Sequence, residues 1–157
     1  MAKKVADQLV DTLEKAGVRR IYAVTGDSLN EVNEAVRKNG RLRWIHVRHE
    51  ETGAYAAAAE AQLTGELACC AGSSGPGHVH LINGLYDAQR SGARVLAIAS
   101  TIPSREFGTE YFQETNTIKL FDDCSYYNQV ATTPEQFPRM LQGAMQAAIS
   151  SCGVGVI

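Results

Sequence analysis

The feature that most constrains this sequence is a repeated alternation of short apolar runs with segments of helical periodicity. Apolar residues recur at helical spacing from Val5 to Ala16, which predicts a first helix ending at Gly17. Apolar runs that read as strands cover residues 21–24, 42–47, 67–71, 94–99, 128–131 and 153–157. Further helices are predicted over about 28–40, 51–64, 78–90, 117–123 and 134–151.

This alternation predicts an α/β fold, with a mostly parallel sheet of about six strands and helices on both faces. In such a sheet, ligands bind at the carboxyl ends of the strands. Two helix starts carry their own signals: Ser28 with Glu31 has capping-box spacing, and Thr133-Pro134 has an N-cap residue followed by proline at the first helical position. Residues 100–115 form a long connection, and long loops in compact domains are usually functional or mobile.

Composition excludes several classes of protein. The 157 residues include 15 basic and 17 acidic residues, so the surplus positive charge that nucleic-acid binding requires is missing. The four cysteines, of which only Cys69 and Cys70 are adjacent, fit neither a disulfide framework nor a CxxC metal site and are predicted to be small buried hydrophobes. The apolar runs are too short to span a bilayer or to form a signal segment, and together these features predict a cytoplasmic protein.

Four loops follow predicted strand ends and should meet at one edge of the sheet: residues 25–28, 48–50, 72–77 and 112–114. The glycines of residues 72–77 have the order GxxGxG, which disfavours a Rossmann nucleotide site, and no Gly-Lys pair is present for a P-loop. Ser74 lacks the flanking glycines of a nucleophile elbow. Two interpretations remain: a bare backbone that a ligand approaches closely, or a tight turn.

Glu50 has the clearest chemical interpretation of any single residue. It follows the run Trp44–Val47 and precedes an alanine-rich helix, and a carboxyl group so placed can share a proton with a ring nitrogen, which is general acid–base chemistry. The alternative is that Glu50 and Glu51 are first-turn acids favoured by the helix dipole. The alanines of residues 54–59 predict close packing against another backbone or a second subunit, unless they are simply good helix formers.

The four histidines form two pairs along the chain, His46 with His49 and His78 with His80. Neither pair has a third ligand at the spacing of a zinc site. We therefore predict hydrogen-bonded histidines and no metal ligand in this chain.

Several segments follow one another in an order that matches a known family. They are Arg48-His49-Glu50-Glu51 before the alanine-rich helix, residues 59–65, Gly75-Pro76-Gly77, Asn83-Gly84 and Phe112-Gln113-Glu114. Together they resemble the N-terminal pyrimidine-binding domain of thiamine-diphosphate enzymes, and the likeness spans the whole chain. Residues 25–29 and 111–114 resemble pyruvate oxidases most, especially the quinone-reducing pyruvate dehydrogenases of bacteria.

The resemblance implies a role for individual residues. Glu50 would pair with N1′ of the aminopyrimidine of thiamine diphosphate, and Glu50 and Gln113 are the implied catalytic residues. Ser28, Phe112 and Gln113 are implied on the substrate side. The family commonly has Asn at the position of His80. The implied cofactor-binding residues are Thr25, Gly26, Asp27, Glu50, Ser74, Pro76, Gly77 and His80.

The implied reaction is the oxidative decarboxylation of pyruvate to acetate and CO2, with electrons passing to FAD and then to a quinone. In the family, Mg2+ and the diphosphate are held by a separate domain with a Gly-Asp-Gly segment followed by Asn-Asn, and FAD by a middle domain. Residues 1–157 contain neither the Gly-Asp-Gly and Asn-Asn segments nor the FAD-binding middle domain. We therefore expect residues 1–157 to be one pyrimidine-binding domain that ends within its last strand and is inactive by itself.

The resemblance also implies a homo-oligomer, a dimer or tetramer, with any contact with the inner membrane made through segments beyond these residues. Three alternatives remain open. The chain could belong to an acetolactate synthase or another 2-oxo acid decarboxylase, it could be a stand-alone decarboxylase subunit, or it could be a non-catalytic interaction domain that has kept the fold.

Overall fold

A computed structural model describes residues 3–157 and confirms the strand–helix alternation. The helices are α1 (Val5–Lys15), α2 (Asn30–Asn39), α3 (Glu50–Thr64), α4 (Pro76–Arg90), α5 (Thr117–Leu120) and α6 (Phe137–Ser151). The strands are β1 (Arg20–Ala23), β2 (Arg43–His46), β3 (Ala68–Gly72), β4 (Val95–Ala99), β5 (Tyr127–Asn128) and β6 (Val154–Val156). Two single 3₁₀ turns cover Asp27–Leu29 and Ser104–Glu106.

The six strands form one sheet in the order β2-β1-β3-β4-β6-β5, and every pair is parallel. From β1 the chain passes through α2 to β2 on one side, whereas from β3 it passes through α4 to β4 on the other side. The loops after β1 and β3 therefore diverge, which opens a crevice at the carboxyl ends of these two neighbouring strands.

Every residue of the central strands β3 and β4 is buried, because helices cover both faces of the sheet. Alternate residues point to opposite faces: Cys69 and Leu96 join the core under α1, α2 and α6, whereas Cys70 and Val95 join the core under α3 and α4. The predicted α/β fold with a parallel sheet and helices on both faces is confirmed.

The alanine-rich α3 packs closely on two sides, as its composition predicts. A Cβ atom added to Gly53 would lie 3.1 Å from the carbonyl oxygen of Tyr22 in β1. One added to Gly84 of α4 would lie 2.6 Å from Cβ of Ala54. Small residues are therefore required where α3 crosses β1 and α4, beyond any preference of alanine for helices.

Several element boundaries differ from the sequence-based predictions. α4 begins at Pro76 rather than residue 78, and α5 ends at Leu120. β5 contains two residues, 127 and 128, rather than residues 128–131. The predicted N-cap at Thr133 with Pro134 at the first helical position is wrong, because α6 begins at Phe137. The side chain of Gln136 accepts hydrogen bonds from the backbone N–H groups of residues 132 and 133 and holds them in a turn.

The predicted capping box at Ser28 is wrong. Residues 27–29 form a 3₁₀ turn, α2 begins at Asn30, and no side chain caps it. The Ser28 hydroxyl instead accepts a hydrogen bond from the backbone N–H of Ser74, 2.9 Å away in the glycine-rich loop. The Ser28 hydroxyl therefore binds a backbone group 46 residues away in the sequence instead of capping α2.

The prediction of buried cysteines is correct for Cys69, Cys70 and Cys124 and wrong for Cys152, which is exposed at the end of α6. Burial raises the pKa of the Cys70 thiol to about 12 and that of the Cys124 thiol to about 11. Across residues 3–157, none of the helices has the length and apolar character needed to cross a bilayer.

Candidate functional site

The loops that follow β1, β2, β3 and β4 meet at the carboxyl edge of the sheet, as predicted. Ser74, in the loop after β3, joins two of them: its backbone N–H donates to Ser28, and its hydroxyl donates to Oε1 of Gln113 at 3.0 Å. Gly26 lies so close to Ser73 that an added Cβ atom would overlap the serine side chain. Three loops that are distant in sequence therefore fix one another's positions.

Glu50 is the first residue of α3 and is buried, with 7% of its surface exposed. Its Oε2 atom lies 3.1 Å from Nδ1 of His80, on the second turn of α4. Its Oε1 atom faces Gly77, where an added Cβ atom would lie 3.4 Å away. The dipole of α3 favours a carboxylate at this position, but the dipole alone would not require the residue to be buried.

His49 precedes Glu50 and caps α3, accepting a hydrogen bond from the backbone N–H of Glu51 through Nδ1 at 3.3 Å. Its ring stacks on that of His80, with ring centroids 4.4 Å apart and an interplanar angle of 25°. The two histidines come from different sequence pairs, so spacing along the chain gave no sign that they meet.

Donor atoms of His49, Glu50 and His80 lie within 4.8 Å of one another, close enough for a metal ion to be considered. The ligating lone pair of an imidazole nitrogen lies in the plane of its ring. Because the two rings are stacked, these lone pairs lie in nearly parallel, separate planes, which disfavours their convergence on one ion. As placed, the trio suits proton sharing better than metal coordination.

The long loop after β4 covers the glycine-rich loop. Gln113 has a φ of +68°, a left-handed conformation that residues with side chains rarely adopt. Its Cβ atom lies against Gly75, where an added Cβ would be only 2.7 Å away. A glycine is also required at residue 75 for its own backbone, because its φ of +67° and ψ of −119° suit glycine alone.

A cleft of about 400 Å³ lies beside Gln113. Its lining residues are Asp27, Ser28, Ser74, residues 101–103 and residues 111–113. Phe112 lines this cleft, yet 80% of its surface remains exposed. An exposed aromatic ring beside a cleft can contact a ligand without rearrangement of the core.

The structure divides the predicted site residues into two neighbouring groups and a rim. Glu50, Gly77 and His80 form the first group, and Ser28, Ser74 and Gln113 form the second. Ser73 lies between them, against both Gly26 and Gly77. Thr25, Asp27, Pro76 and Phe112 are exposed and form the rim.

Sequence reasoning interpreted His78 only as a hydrogen-bonded histidine and missed its place beside the site. It is buried in the first turn of α4 and contacts Ser100 and Thr115, 22 and 37 residues away. Burial lowers the pKa of the His78 imidazole. A periodic pattern carries no signal for such distant contacts.

Residues 3–120 match the family described as thiamine pyrophosphate enzyme, N-terminal TPP binding domain. The chain belongs to this family. Over 154 residues it is 56% identical to an uncharacterized 42.6 kDa protein in the isoamylase 3′ region of Pseudomonas amyloderamosa, covering 98% of this chain and 39% of that protein. It is 38% identical over 150 residues to pyruvate oxidase of Lactiplantibacillus plantarum (95% and 25%), and 33% identical over 148 residues to the chloroplastic acetolactate synthase 3 of Brassica napus (94% and 23%).

The chain thus spans between about a quarter and two fifths of the length of these relatives. The matched relatives include both a pyruvate oxidase and acetolactate synthases. Membership of the family establishes a domain of a thiamine-diphosphate-dependent enzyme, and leaves the reaction of the whole protein to be proposed.

Proposed function

We propose that this chain is the pyrimidine-binding domain of an enzyme of the pyruvate oxidase type, which decarboxylates pyruvate oxidatively to acetate and CO2. The observation that carries the proposal is the buried Glu50 carboxylate, which faces the side-chain-free Gly77 at the carboxyl edge of the sheet. The 38% identity with a pyruvate oxidase over almost the whole chain supports the choice of reaction.

The residues around Glu50 fit an aminopyrimidine ring. A Cβ atom at residue 77 would lie 3.4 Å from Oε1, so glycine at this position leaves the space beside this oxygen open to a ligand. Among the described residues, Oε1 accepts no hydrogen bond, whereas Oε2 contacts His80. A flat ring whose nitrogen shares a proton with Oε1 can therefore bind one oxygen of Glu50 without displacing the contact of Oε2 with His80.

Thiamine diphosphate, when bound, supplies an aminopyrimidine that can change tautomer and a thiazolium carbon that can attack the carbonyl group of a 2-oxo acid. Glu50 would hold a proton at the ring nitrogen N1′ and so favour the tautomer whose exocyclic nitrogen acts as a base. His80 would keep the carboxylate of Glu50 in place through Oε2. The backbone of Gly75, Pro76 and Gly77 would lie against the ring, and Gln113 would face the 2-oxo acid from the neighbouring cleft.

Three parts of the proposal concern the larger enzyme. Mg2+ and the diphosphate would be held by a second domain, and FAD by a third domain that passes electrons to a quinone. The enzyme would be a cytoplasmic homo-oligomer, a dimer or tetramer. The exposed Tyr55 and Tyr86, on the closely packed helices α3 and α4, are suitable contacts for such an interface.

The role of Glu50 can be tested by Glu50→Gln in the complete protein, with Glu51→Gln as a matched control. Both changes remove one negative charge from the first turn of α3, but Glu51 is bound to Asn83 rather than placed against Gly77. We expect Glu50→Gln to slow exchange of the thiazolium C2 proton by about 10²–10⁴-fold, the range for loss of a general acid–base group. Glu51→Gln should leave the exchange rate near that of the unaltered protein. Equal exchange rates in the two variants would contradict the assignment.

Acetolactate synthase activity is the second candidate, because the chain also matches enzymes of that name. Product analysis separates the two reactions. An enzyme of the pyruvate oxidase type releases acetate and reduces a quinone analogue in proportion to the CO2 formed, whereas an acetolactate synthase joins two pyruvate units. Acetolactate as the main product, with no reduction of the analogue, would replace the first proposal by the second.

A further inference from the structure

The loop of residues 101–114, which carries Phe112 and Gln113, has both of its ends at one side chain. Ser100 immediately precedes the loop, and its carbonyl oxygen lies 2.8 Å from Nδ1 of His78. Thr115 immediately follows the loop, and its hydroxyl lies 2.6 Å from Nε2 of the same ring. The imidazole of His78 thus connects the two ends of the loop through its two nitrogen atoms.

The hydrogen-bond partners define the state of the ring. A carbonyl oxygen can only accept, so Nδ1 carries the proton and donates to Ser100. Nε2 of the neutral ring then accepts a hydrogen bond from the Thr115 hydroxyl. His78 is 1% exposed and lies edge-on against the ring of Phe121, with centroids 5.9 Å apart. In this buried position, an unpaired partner would have no water to replace the lost bond.

The beginning of α4 and the glycine-rich loop also hold Gln113 in place. The backbone N–H of His78 donates to the carbonyl of Ser73 at 2.8 Å, which ties the start of α4 to the glycine-rich loop. Gln113, two residues before Thr115, lies over Gly75 and is bound by Ser74. Its left-handed backbone is unfavourable by itself and persists only where the surroundings impose it.

We propose that His78 is a positioning residue that fastens both ends of the 101–114 loop to the first turn of α4 and thereby sets the place of Gln113 over Gly75. In this proposal His78 acts through the loop rather than on the substrate. The attachment of the loop to His78 does not depend on which reaction the enzyme catalyses. Only its effect on turnover rests on the proposed function.

Two substitutions separate the two anchors. The amide nitrogen of asparagine lies about where Nδ1 of histidine lies, so His78→Asn should keep the hydrogen bond to Ser100 and lose the hydrogen bond to Thr115. The amide oxygen of glutamine reaches about as far as Nε2 of histidine, so His78→Gln should keep the hydrogen bond to Thr115 and lose the hydrogen bond to Ser100. Thr115→Val removes the second anchor from the other side, and His46→Asn, at an exposed histidine on β2, is the matched control.

Hydrogen exchange of the backbone amides tests the fastening without any assay of activity. We expect residues 101–114 to exchange about ten-fold faster in His78→Asn and in Thr115→Val, with no further gain in the double variant, because each removes the same bond. His46→Asn should exchange like the unaltered protein. Unchanged exchange in this loop, or an equal increase throughout the chain, would overturn the proposal.

Kinetics in the complete protein test the effect on Gln113. Because Thr115 is the anchor nearer to Gln113, His78→Asn should raise the KM for pyruvate by about ten-fold with a smaller change in kcat, whereas His78→Gln should restore most of the loss. Equal KM values in these two variants would contradict a positioning role. If the unaltered protein does not turn over pyruvate at all, the proposed function fails, and the exchange experiment still decides whether His78 fastens the loop.

Discussion

Helices α3 and α4 approach each other closely at Gly84, which gives a quantitative test of their packing. A Cβ atom at residue 84 would lie 2.6 Å from Cβ of Ala54 and 3.0 Å from the carbonyl oxygen of Glu51 and the backbone nitrogen of Tyr55. Ordinary contacts begin at 3.4 Å. In Gly84→Ala, α3 and α4 would therefore have to separate by roughly 0.8 Å, and two of the three opposing atoms belong to rigid backbone.

Two opposing effects determine the expected change in stability. Overpacking of a well-filled interior costs about 1–3 kcal/mol, and the upper half of that range applies because backbone atoms cannot turn aside. Alanine is favoured over glycine within a helix by about 1 kcal/mol. The net expectation is a loss of about 1–2 kcal/mol in the free energy of unfolding, which for a chain of this size lowers Tm by about 2–8 °C.

Urea denaturation and thermal unfolding measure this loss, and a double variant isolates its cause. Ala54→Gly removes the nearest opposing atom, so Gly84→Ala should destabilise the Ala54→Gly background less than it destabilises the unaltered chain, by about 0.5 kcal/mol or more. A Gly84→Ala protein at least as stable as the unaltered one would refute the packing argument. Additive effects of the two changes would show that Ala54 is not the atom that matters.

Three further predictions follow from individual positions. Gly75→Ala should destabilise the fold and speed hydrogen exchange in residues 111–114, because residue 75 has a glycine-only backbone conformation and Gln113 lies 2.7 Å from the added atom; unchanged exchange there would contradict this close fit. Burial lowers the pKa of His78 below its ordinary 6.5, so the neutral ring stabilises the fold fully above pH 6.5 and this contribution falls as the pH drops towards the lower, folded-state pKa. The difference in unfolding free energy between the unaltered chain and His78→Asn should therefore narrow from pH 7.5 to pH 5, as denaturant titrations at several pH values can measure, and a constant difference would oppose it. Among the four cysteines only Cys152 is exposed, so a thiol reagent should modify about one thiol per native chain quickly, and Cys152→Ser should abolish that fast reaction.

The parts of the fold that sequence predicts are those determined by local pattern. Apolar runs such as residues 67–71 and 94–99 become the central strands, because a strand covered on both faces needs a continuous apolar sequence. The meeting of four loops at one edge follows from the parallel arrangement itself. Glu50 could be singled out as a candidate site residue because it lies between an apolar run and an alanine-rich helix.

The parts that sequence did not predict depend on contacts between distant segments. The Ser28 hydroxyl was expected to cap its own helix, and it binds the backbone of Ser74 instead. The stacking of His49 on His80 joins the beginnings of α3 and α4, which are distant in sequence. His78 gave no signal of its role, because neither of its partners lies within one helical turn. Local propensity cannot rank such contacts, since each depends on the completed sheet.

Side-chain hydrogen bonds of the candidate site link segments that are distant in sequence. Ser74 binds both Ser28 and Gln113, and Glu50 of α3 contacts His80 of α4. The loops after β1, β3 and β4 therefore constrain one another's conformations. A substitution in one loop should accordingly alter hydrogen exchange in the next, whereas independent loops would respond one at a time. The interdependence explains how exposed loops can hold Gln113 in a conformation that its own backbone disfavours.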